Sequence, residues 1–595
     1  MNLAYKTPLI SLRNLHNISA NAQRWQYRFD DMNIVQDMIN YLELPETLAR
    51  TLAGRGINAE NAPSYLNPTL RETLPNPFEL KDMEQATARI IKAIHKCQNI
   101  CIFGDYDVDG ATSTALLIRY FAMLGVKAEY YIPDRISEGY GPNAPALLKL
   151  KQQDIDLVIT VDCGAVAFAP LKAASEAGLD VIVVDHHKGA AELPIAVANV
   201  NPNRLDEHNP NTHLAAVGVC FLLCVAMNKA LRESGYFANK PEPNLMHLLD
   251  LVALGTVCDV VALRGINRTF VKQGLKIMQS GNNAGMAALL KIAGVDDEQL
   301  TAYHLGFVLG PRINAGGRVG ESSLGVRLLT SNDTNEIEQI AVQLNQYNLE
   351  RQAIEANVLE MAMIEAGKQS NYDVIMVAGH GWHEGVIGIV ASRLKDRFNR
   401  PAIVVSLSDA KGKASARSVS GVDIGASIVA ARECGLIVEG GGHAMAGGFS
   451  FKPETLNDLH QFMITQMQAG VGRYLENQTL KIDAPINCAM VNHTTLKNIE
   501  QAAPFGMGNP SPLLVIYDAV IQNIDILKEQ HLRLFLSDNS KGRVKAMCFR
   551  AIGTPLGEFL LQMKGKNIHI AGTLSENNWQ GSSSIDFHIV DAMLA

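Results

Sequence analysis

From Met83 onward the apolar positions switch repeatedly between helical spacing and short unbroken runs. MEQATARIIKAIHKC has the spacing of an amphipathic helix, and NICIFGD that of a short buried strand. The alternation continues with helix TSTALLIRYFAMLG, strand VKAEYYIP, helix NAPALLKLKQQ, strand DLVITVD, helix PLKAASEAG and strand DVIVVD. Strands separated by helical stretches predict a parallel sheet with crossover helices. Such a sheet places its site beyond the carboxyl ends of the strands. Asp333 and Glu336 resemble a capping box, Gly367 supplies a stop, and no Gly or Pro stands between Val326 and Ala366. One long helix is therefore predicted from Asp333 to Ala366, read as a connector between two lobes. A second α/β block follows, with strands YDVIMVAG and PAIVVSLS around helix HEGVIGIVASRLKDRF, and Gly440, Gly441 and Gly442 leading into HAMAGGFSF. From about Leu480 the pattern becomes short strands (SPLLVIYDAVI, HLRLFLSD, RVKAMCFRA, NIHIAGTL, SIDFHIVDAM), which predicts a small β-barrel. The fold class is α/β, with two α/β lobes joined by a long helix and a small β-barrel after them. The expected divisions are a helical segment 1–65, a first lobe 66–332, the connecting helix 333–368, a second lobe 369–468 and the barrel 469–595.

The 595-residue chain is 47% hydrophobic and 19% charged, a globular composition. Its 52 Lys and Arg stand against 60 Asp and Glu, a formal charge of −8. That balance excludes a broadly basic nucleic-acid coat and leaves room for a local basic groove. MNLAYKTPLISLRN has no basic region followed by an apolar run, and no stretch approaches the length of a spanning helix. Nine cysteines without a CxxC read as reduced, mostly buried thiols. A cytoplasmic location and no membrane partner are expected.

The placement of the acids is more informative than their number. NICIFG ends in Asp105-Tyr106-Asp107-Val108-Asp109-Gly110, DLVITV in Asp162, and DVIVV in Asp185-His186-His187. The later apolar run VALGTVC ends in Asp259. Acids or histidines thus crown several elements expected in one sheet. Convergent carboxylates repel one another unless a cation neutralises them. Carboxylate and imidazole donors suit Mn²⁺ or Mg²⁺. A calcium EF-loop is ruled out because its twelfth position, counted from Asp105, is Leu116 and a strand precedes it. A single Asp at a strand end is an ordinary helix cap; its recurrence on successive strands is not.

DYDVDGATS, VITVDCG, VVDHHK and LGTVCD, in that order, resemble the four motifs of the DHH phosphoesterase superfamily. GPRINAGGR, HEGVIGIVASRLKDRF, SARS and GGGHAMAGG resemble its RecJ branch, the single-stranded-DNA-specific exonucleases, with DHH-type and DHHA1-type lobes and an OB-fold. The resemblance implies two divalent metal ions, Mn²⁺ or Mg²⁺, held by Asp107, Asp109, Asp162, His186 and Asp259, with Asp162 as the bridge. It implies Asp105 as a ligand or a neighbouring acid, Asp185 as the group orienting a histidine, and His187 as a contact to the scissile phosphate. It further implies 5′→3′ release of mononucleotides from single-stranded DNA in repair and recombination. Single-strand-binding protein and a RecQ-type helicase are the implied partners. A monomer is expected. The alternative within the superfamily is a phosphodiesterase acting on short oligonucleotides or cyclic dinucleotides, which has no need of the barrel. A catalytically inactive scaffold would have lost acids that are all present. No G-x-x-x-x-G-K-[ST] loop is found, so a motor function is excluded.

Candidate phosphate contacts are Arg135 in PDRISEGYG, Arg312 and Arg318 in GPRINAGGR, and Ser415 and Arg417 in ASARS. The resemblance implies that Ser415, Arg417 and the glycine loop with His443 help hold a terminal phosphate. A cleft between two lobes too narrow for a duplex accounts for single-strand selectivity. In the barrel, Lys528, Arg533, Lys541, Arg543, Lys545 and Arg550 face only Glu529 and Asp538 within the same stretch, which predicts a local positive surface. Phe535, Phe549 and Trp579 are candidate base stackers, with core packing as the alternative, and Phe505 reads as a hinge or packing residue. Cys163, where many relatives carry Asn, is expected to tune the metal site or make it oxidation-sensitive. Gly316 and Ala416 also depart from the commoner residues, and neither removes a metal ligand.

Overall fold

The structure, a computed structural model, describes residues 18–135, 137–295, 299–579 and 582–595. β1 (Arg24–Tyr27) opens the described chain. β2 (Ile100–Phe103), β3 (Ala128–Tyr131), β4 (Leu157–Val161), β5 (Asp180–Val184) and β6 (Ala198–Val200) then form an all-parallel sheet in the order β3-β2-β4-β5-β6. Both faces are covered, which is why the inner strands are unbroken apolar runs. Helices Met83–His95, Val108–Met123 and Ala216–Glu233 pack on one face. Ala144–Gln152 and Phe168–Glu176 pack on the other. The chain turns to opposite sides of β2, so the crevice beyond β2 and β4 is the topological switch point, where such sheets hold their ligands.

Asp259 does not crown a strand. The run before it is a helix, Leu249–Cys258, buried on nearly every side by Val108–Met123, Ala216–Glu233 and Gly265–Gln279. A helix surrounded by helices loses its polar face, and its apolar run then reads like a buried strand.

The connecting helix is Thr334–Gly367, 34 residues long, and Asp333 caps it by accepting from the Asn335 amide at 2.9 Å. It leads to a second sheet of β7 (Ile375–His380), β8 (Ala402–Leu407), β9 (Gly412–Arg417), β10 (Glu439–His443) and β11 (Ala446–Phe451), ordered β10-β11-β9-β8-β7. The expected glycine loop is in fact strand β10, paired antiparallel with β11. A Cβ on Gly442 would lie 2.5 Å from the Ala446 carbonyl oxygen, so glycine is what lets this hairpin close.

Residues 70–474 form one compact unit; residues 18–69 join 475–595 in a second. In the second unit β12 (Thr479–Ile482) pairs in parallel with β1. β13 (Ala484–Ile486), β14 (Leu514–Leu527), β15 (His531–Ser537), β16 (Arg543–Cys548), β17 (Asn567–Trp579) and β18 (Ser582–Leu594) follow. The order β14-β15-β16-β18-β17, with β17 paired back to β14, closes a five-stranded barrel of the OB type. The N-terminal segment is built into this unit. The Trp25 indole donates to Asp591 at 2.9 Å, and Arg28 and Arg55 converge on the fully buried Asp483 carboxylate at 3.1 and 2.9 Å. Asp483→Ala leaves the buried Arg55 without its counter-ion, a loss of about 3 kcal/mol. Urea unfolding of the full chain should show the barrel-unit transition shifting to lower urea while that of 70–474 stays in place. No described helix is long and apolar enough to cross a membrane.

Candidate active site

Four chain segments meet at the switch point. Beyond β2 the chain turns sharply, and Gly110 packs so closely that a Cβ there would lie 2.5 Å from the Asp105 carbonyl oxygen. This turn buries Asp105 and lets Asp107 cap helix Val108–Met123, its Oδ1 accepting from the Gly110 amide at 3.1 Å. Asp109, the second residue of that helix, accepts from the Ala216 and Val217 amides at 2.6 and 3.0 Å, at the N-terminus of helix Ala216–Glu233. Gly255 makes room for it, since a Cβ there would lie 2.8 Å from Asp109 Oδ1. Asp162 follows β4 in the left-handed region, φ 61°, and Val260 beside Asp259 is also left-handed, φ 61°. Non-glycine residues held there store strain of the kind that gathers at functional sites.

His186 stands at the centre. Its Nε2 lies 3.3 Å from Asp162 Oδ1, 3.5 Å from Asp259 Oδ2 and 3.9 Å from Asp109 Oδ2. Asp105, Asp107 and Asp162 form a second cluster, and Asp162, His186 and His187 a third, each with donor atoms within 4.8 Å of one another. Asp105 Oδ1, Asp162 Oδ1, His186 Nε2 and Asp259 Oδ2 are buried without a hydrogen-bond partner.

The electrostatics agree with the geometry. Burial, then the charges of Asp109 and Asp107, push the Asp259 carboxyl up to about 9. Burial and Asp107 push Asp109 up to about 7, and burial with the surrounding acids drives Asp162 well above the usual range. Burial and the neighbouring His187 take His186 down to about 4, leaving a neutral imidazole. Orphaned oxygens, mutual repulsion and a neutral nitrogen are what divalent cations need in a site. The donor set, oxygens and imidazole without thiolate, fits Mn²⁺ or Mg²⁺.

Asp185 is different. It accepts from the Ala165, His186 and His187 amides and from His187 Nδ1 at 2.8 Å. Burial opposes its charge, but the His187 hydrogen bond and the two imidazoles hold it at about 2. Its Oδ1 orients His187 while Oδ2 is held by the Ala165 amide, so neither oxygen is orphaned. Cys163 feels the charges of Asp185 and Asp105 but belongs to the core. Its thiol is buried in the apolar layer with Phe103, Leu147 and Leu171, and burial drives its pKa far above the ordinary thiol value, so it is an inert core residue.

Beside the acids lies an arginine cluster. The Arg135 guanidinium sits 5.1 Å over the Tyr106 ring. Gly317 packs on Tyr106, where a Cβ would meet its carbonyl oxygen at 3.0 Å. Arg318 Nη1 donates to the Gly385 carbonyl at 2.8 Å, linking the first lobe to the second. Burial, with Arg135, Arg351 and Arg417 nearby, lowers Arg318 to about 10, while Asp107 acts the other way. Ser415 and Arg417 lie against Gly388, where a Cβ would be 2.9 Å from Ser415 Oγ and 3.1 Å from Arg417 Nη2. His443 pairs with Ala446, and Ala446 with Arg417, so His443 stands two strands away at the same level of the sheet. Arg312 is used elsewhere: it donates to Asn345 at 3.0 Å and to the Val308 carbonyl at 2.8 Å, anchoring the connecting helix.

Two groups escape the sequence reading. Tyr140 donates to the Asp162 carbonyl at 2.9 Å and lies 3.3 Å from His187 Nδ1. Its signal was the pair Gly139 and Gly141 on either side, both at positive φ. Arg351, on the connecting helix, is buried against Glu355 at 2.6 Å and Asn348 at 3.0 Å.

The N-terminal domain profile of the DHH family matches residues 99–256, the DHHA1 domain 371–469 and the RecJ OB domain 482–591. The chain is 34% identical to the single-stranded-DNA-specific exonuclease RecJ of Bacillus subtilis, over 97% of this chain and 71% of that one. It is 35% identical to that of Haemophilus influenzae, over 87% and 92%. The chain belongs to the RecJ family. The crystal structure of Thermus thermophilus RecJ in complex with Mn²⁺ superposes with a TM-score of 0.76 at 26% identity, covering 95% of this chain and 78% of that one. A crystal structure of exonuclease RecJ bound to manganese matches at 30% identity and a TM-score of 0.57, over 66% of this chain and 97% of that one.

The RecJ OB domain carries an exposed outer face. Phe535 is 39% and Phe549 54% exposed, so neither is core. Phe535 pairs in register with Lys545, and Phe549 packs edge-on against His531 and His588. The positive charge there is smaller than the window count suggests. Arg533 pairs with Asp525 at 2.7 Å and Lys545 with Asp586 at 2.8 Å, both acids lying outside the stretch Lys528–Arg550. Phe505 packs against the barrel core and the N-terminal helices. The Trp579 side chain lies outside the described residues.

Proposed function

We propose that this chain hydrolyses single-stranded DNA from the 5′ end, releasing mononucleotides, with two divalent cations, Mn²⁺ or Mg²⁺. The observation that carries the proposal is the convergence of orphaned acid oxygens from three separate segments and an orphaned imidazole nitrogen from a fourth, beside an arginine cluster. Asp107, Asp109, Asp162, His186 and Asp259 would hold the ions, with Asp162 shared and Asp105 a further ligand. When bound, the ions supply charge neutralisation and activate water for an in-line displacement at phosphorus. The protein side chains do the rest. Asp185 takes the Nδ1 side of His187, which leaves Nε2 for an oxygen of the scissile phosphate. Tyr140, bonded to the Asp162 backbone, braces the same imidazole. Arg135, Arg318, Ser415, Arg417 and His443 form the 5′-phosphate pocket, and Arg312 contributes by fixing the helix behind it. The lobes 66–332 and 369–468, joined by 333–368, enclose a cleft too narrow for a duplex, and the barrel 469–595 holds the strand by stacking on Phe535 and Phe549. The setting is cytoplasmic repair and recombination by a monomer, with single-strand-binding protein and a RecQ-type helicase as partners.

The test is incubation with Mn²⁺ or Mg²⁺ and DNA labelled at the 5′ or the 3′ end, single-stranded or duplex. Early release of a 5′-labelled mononucleotide from single strands alone is expected. Activity confined to dinucleotides, or initial release from the 3′ end, would overturn the reading.

A further inference from the structure

The helical stretch 302–319 links two different surfaces. Its C-terminal end carries Gly317 and Arg318 into the active site. Near its N-terminal end runs a π-helix, His304–Leu309; Tyr303 just before it and Phe307 within it stand 63% and 70% exposed. Their rings are stacked, with centroids 5.1 Å apart and planes 22° from parallel. Wider π-helical turns bring residues four apart nearly into line, and such turns recur at functional sites. The stretch is clamped against the metal-site helix Leu249–Cys258. Gly310 allows this, since a Cβ there would lie 2.6 Å from Cys258 Sγ, and the Cys258 thiol points to the Leu305 carbonyl at 3.3 Å. Two large rings left in water on a rigidly held element call for a ligand with flat apolar faces.

We infer that Tyr303 and Phe307 form a nucleobase-stacking platform for the strand downstream of the scissile bond. This rests on the proposed exonuclease reading and adds a subsite to it. Continuity with the phosphate pocket favours nucleic acid over an apolar protein segment: the same helical stretch ends in Arg318, a member of the arginine cluster beside the acids. Phe307 and Arg318 are eleven residues apart, about three turns and about 16 Å along one helical stretch. A strand anchored at Arg318 by its 5′ phosphate reaches the platform a few nucleotides in. Stacking is indifferent to base identity, as an exonuclease that degrades any sequence requires.

The experiment uses the full chain in an Asp162→Asn background, where the strand stays intact. A 5′-phosphorylated 20-nucleotide strand carries one 2-aminopurine, moved through positions two to eight. Quenching should peak at one or two adjacent positions, and Tyr303→Ala with Phe307→Ala should abolish that peak and weaken binding about tenfold. Phe307→Trp alone should keep both, and Tyr41→Ala, an equally exposed ring on the barrel unit, should change neither. Unchanged quenching and affinity in the double variant would overturn the inference, as would a change in self-association with DNA binding intact. If the unsubstituted protein binds the strand but releases no nucleotide, the exonuclease reading fails while the quenching pattern still decides the platform.

Discussion

Asp162→Asn lowers metal-dependent nuclease turnover by at least about a thousandfold and makes the metal-free protein more stable, not less. The two effects have one cause. Asp162 belongs to two of the three donor clusters, is fully buried, and presents Oδ1 to His186 with no hydrogen-bond donor satisfying it. Without cations its charge is opposed first by burial and then by Asp109, Asp107, Asp105 and Asp259. Removing that charge relieves repulsion among groups that cannot move apart. Asn is the informative substitution because it tolerates the left-handed backbone at φ 61°, so lost activity cannot be laid to a strained turn. Melting curves with and without Mn²⁺ separate the two effects. Unsubstituted protein should gain about 2.7 kcal/mol at a hundred times the dissociation constant, and the variant much less. A variant that keeps more than a tenth of the turnover, or a metal-free variant that melts lower, would contradict this account.

The acids were legible because a parallel sheet brings its strand ends together, so residues distant in sequence share a site whenever each follows a strand. Asp105, Asp107, Asp162, Asp185, His186 and His187 all follow that rule. Asp259 reaches the same place from a helix, and an apolar run cannot tell the two apart. Tyr140 and Arg351 left little trace because a single polar residue in a loop or a long helix has no periodic neighbour to mark it. The pairing of β1 with β12 joins Arg24 to Thr479, and no local pattern encodes such a contact. The barrel's charge was overread for the opposite reason. Counting a window treats sequence neighbours as spatial ones, while Arg533 and Lys545 are neutralised across strands by Asp525 and Asp586. Cys163 illustrates the limit of motif position: although it directly follows Asp162, its side chain is packed in the apolar layer with Phe103 and Leu147.

Arg318→Met raises KM for a 5′-phosphorylated strand about a hundredfold, and changes it far less for a 5′-hydroxyl strand. Arg318 is buried among Arg135, Arg351 and Arg417, and its guanidinium is made less basic by burial and by their charges, down to about 10. The carboxylate of Glu355 is already committed to Arg351. The cluster therefore carries unbalanced positive charge that a dianionic phosphate neutralises. Two charge-assisted hydrogen bonds at about 1.5 kcal/mol each account for the hundredfold change. Arg318→Lys keeps the charge but loses the planar fork, so its KM should fall between those of the parent and the Met variant. Arg417→Ala should move KM in the same direction, since it removes a second member of the cluster. In none of the three should the Mn²⁺-induced shift in melting temperature change, because the metal donors stay in place. A matching rise in KM for the hydroxyl strand would mean that Arg318 serves only as the link to Gly385 between the lobes. A rise confined to the phosphorylated strand would assign recognition of the terminal phosphate to the cluster, and on the proposed reading the 5′→3′ polarity would then rest on that charge filling the pocket.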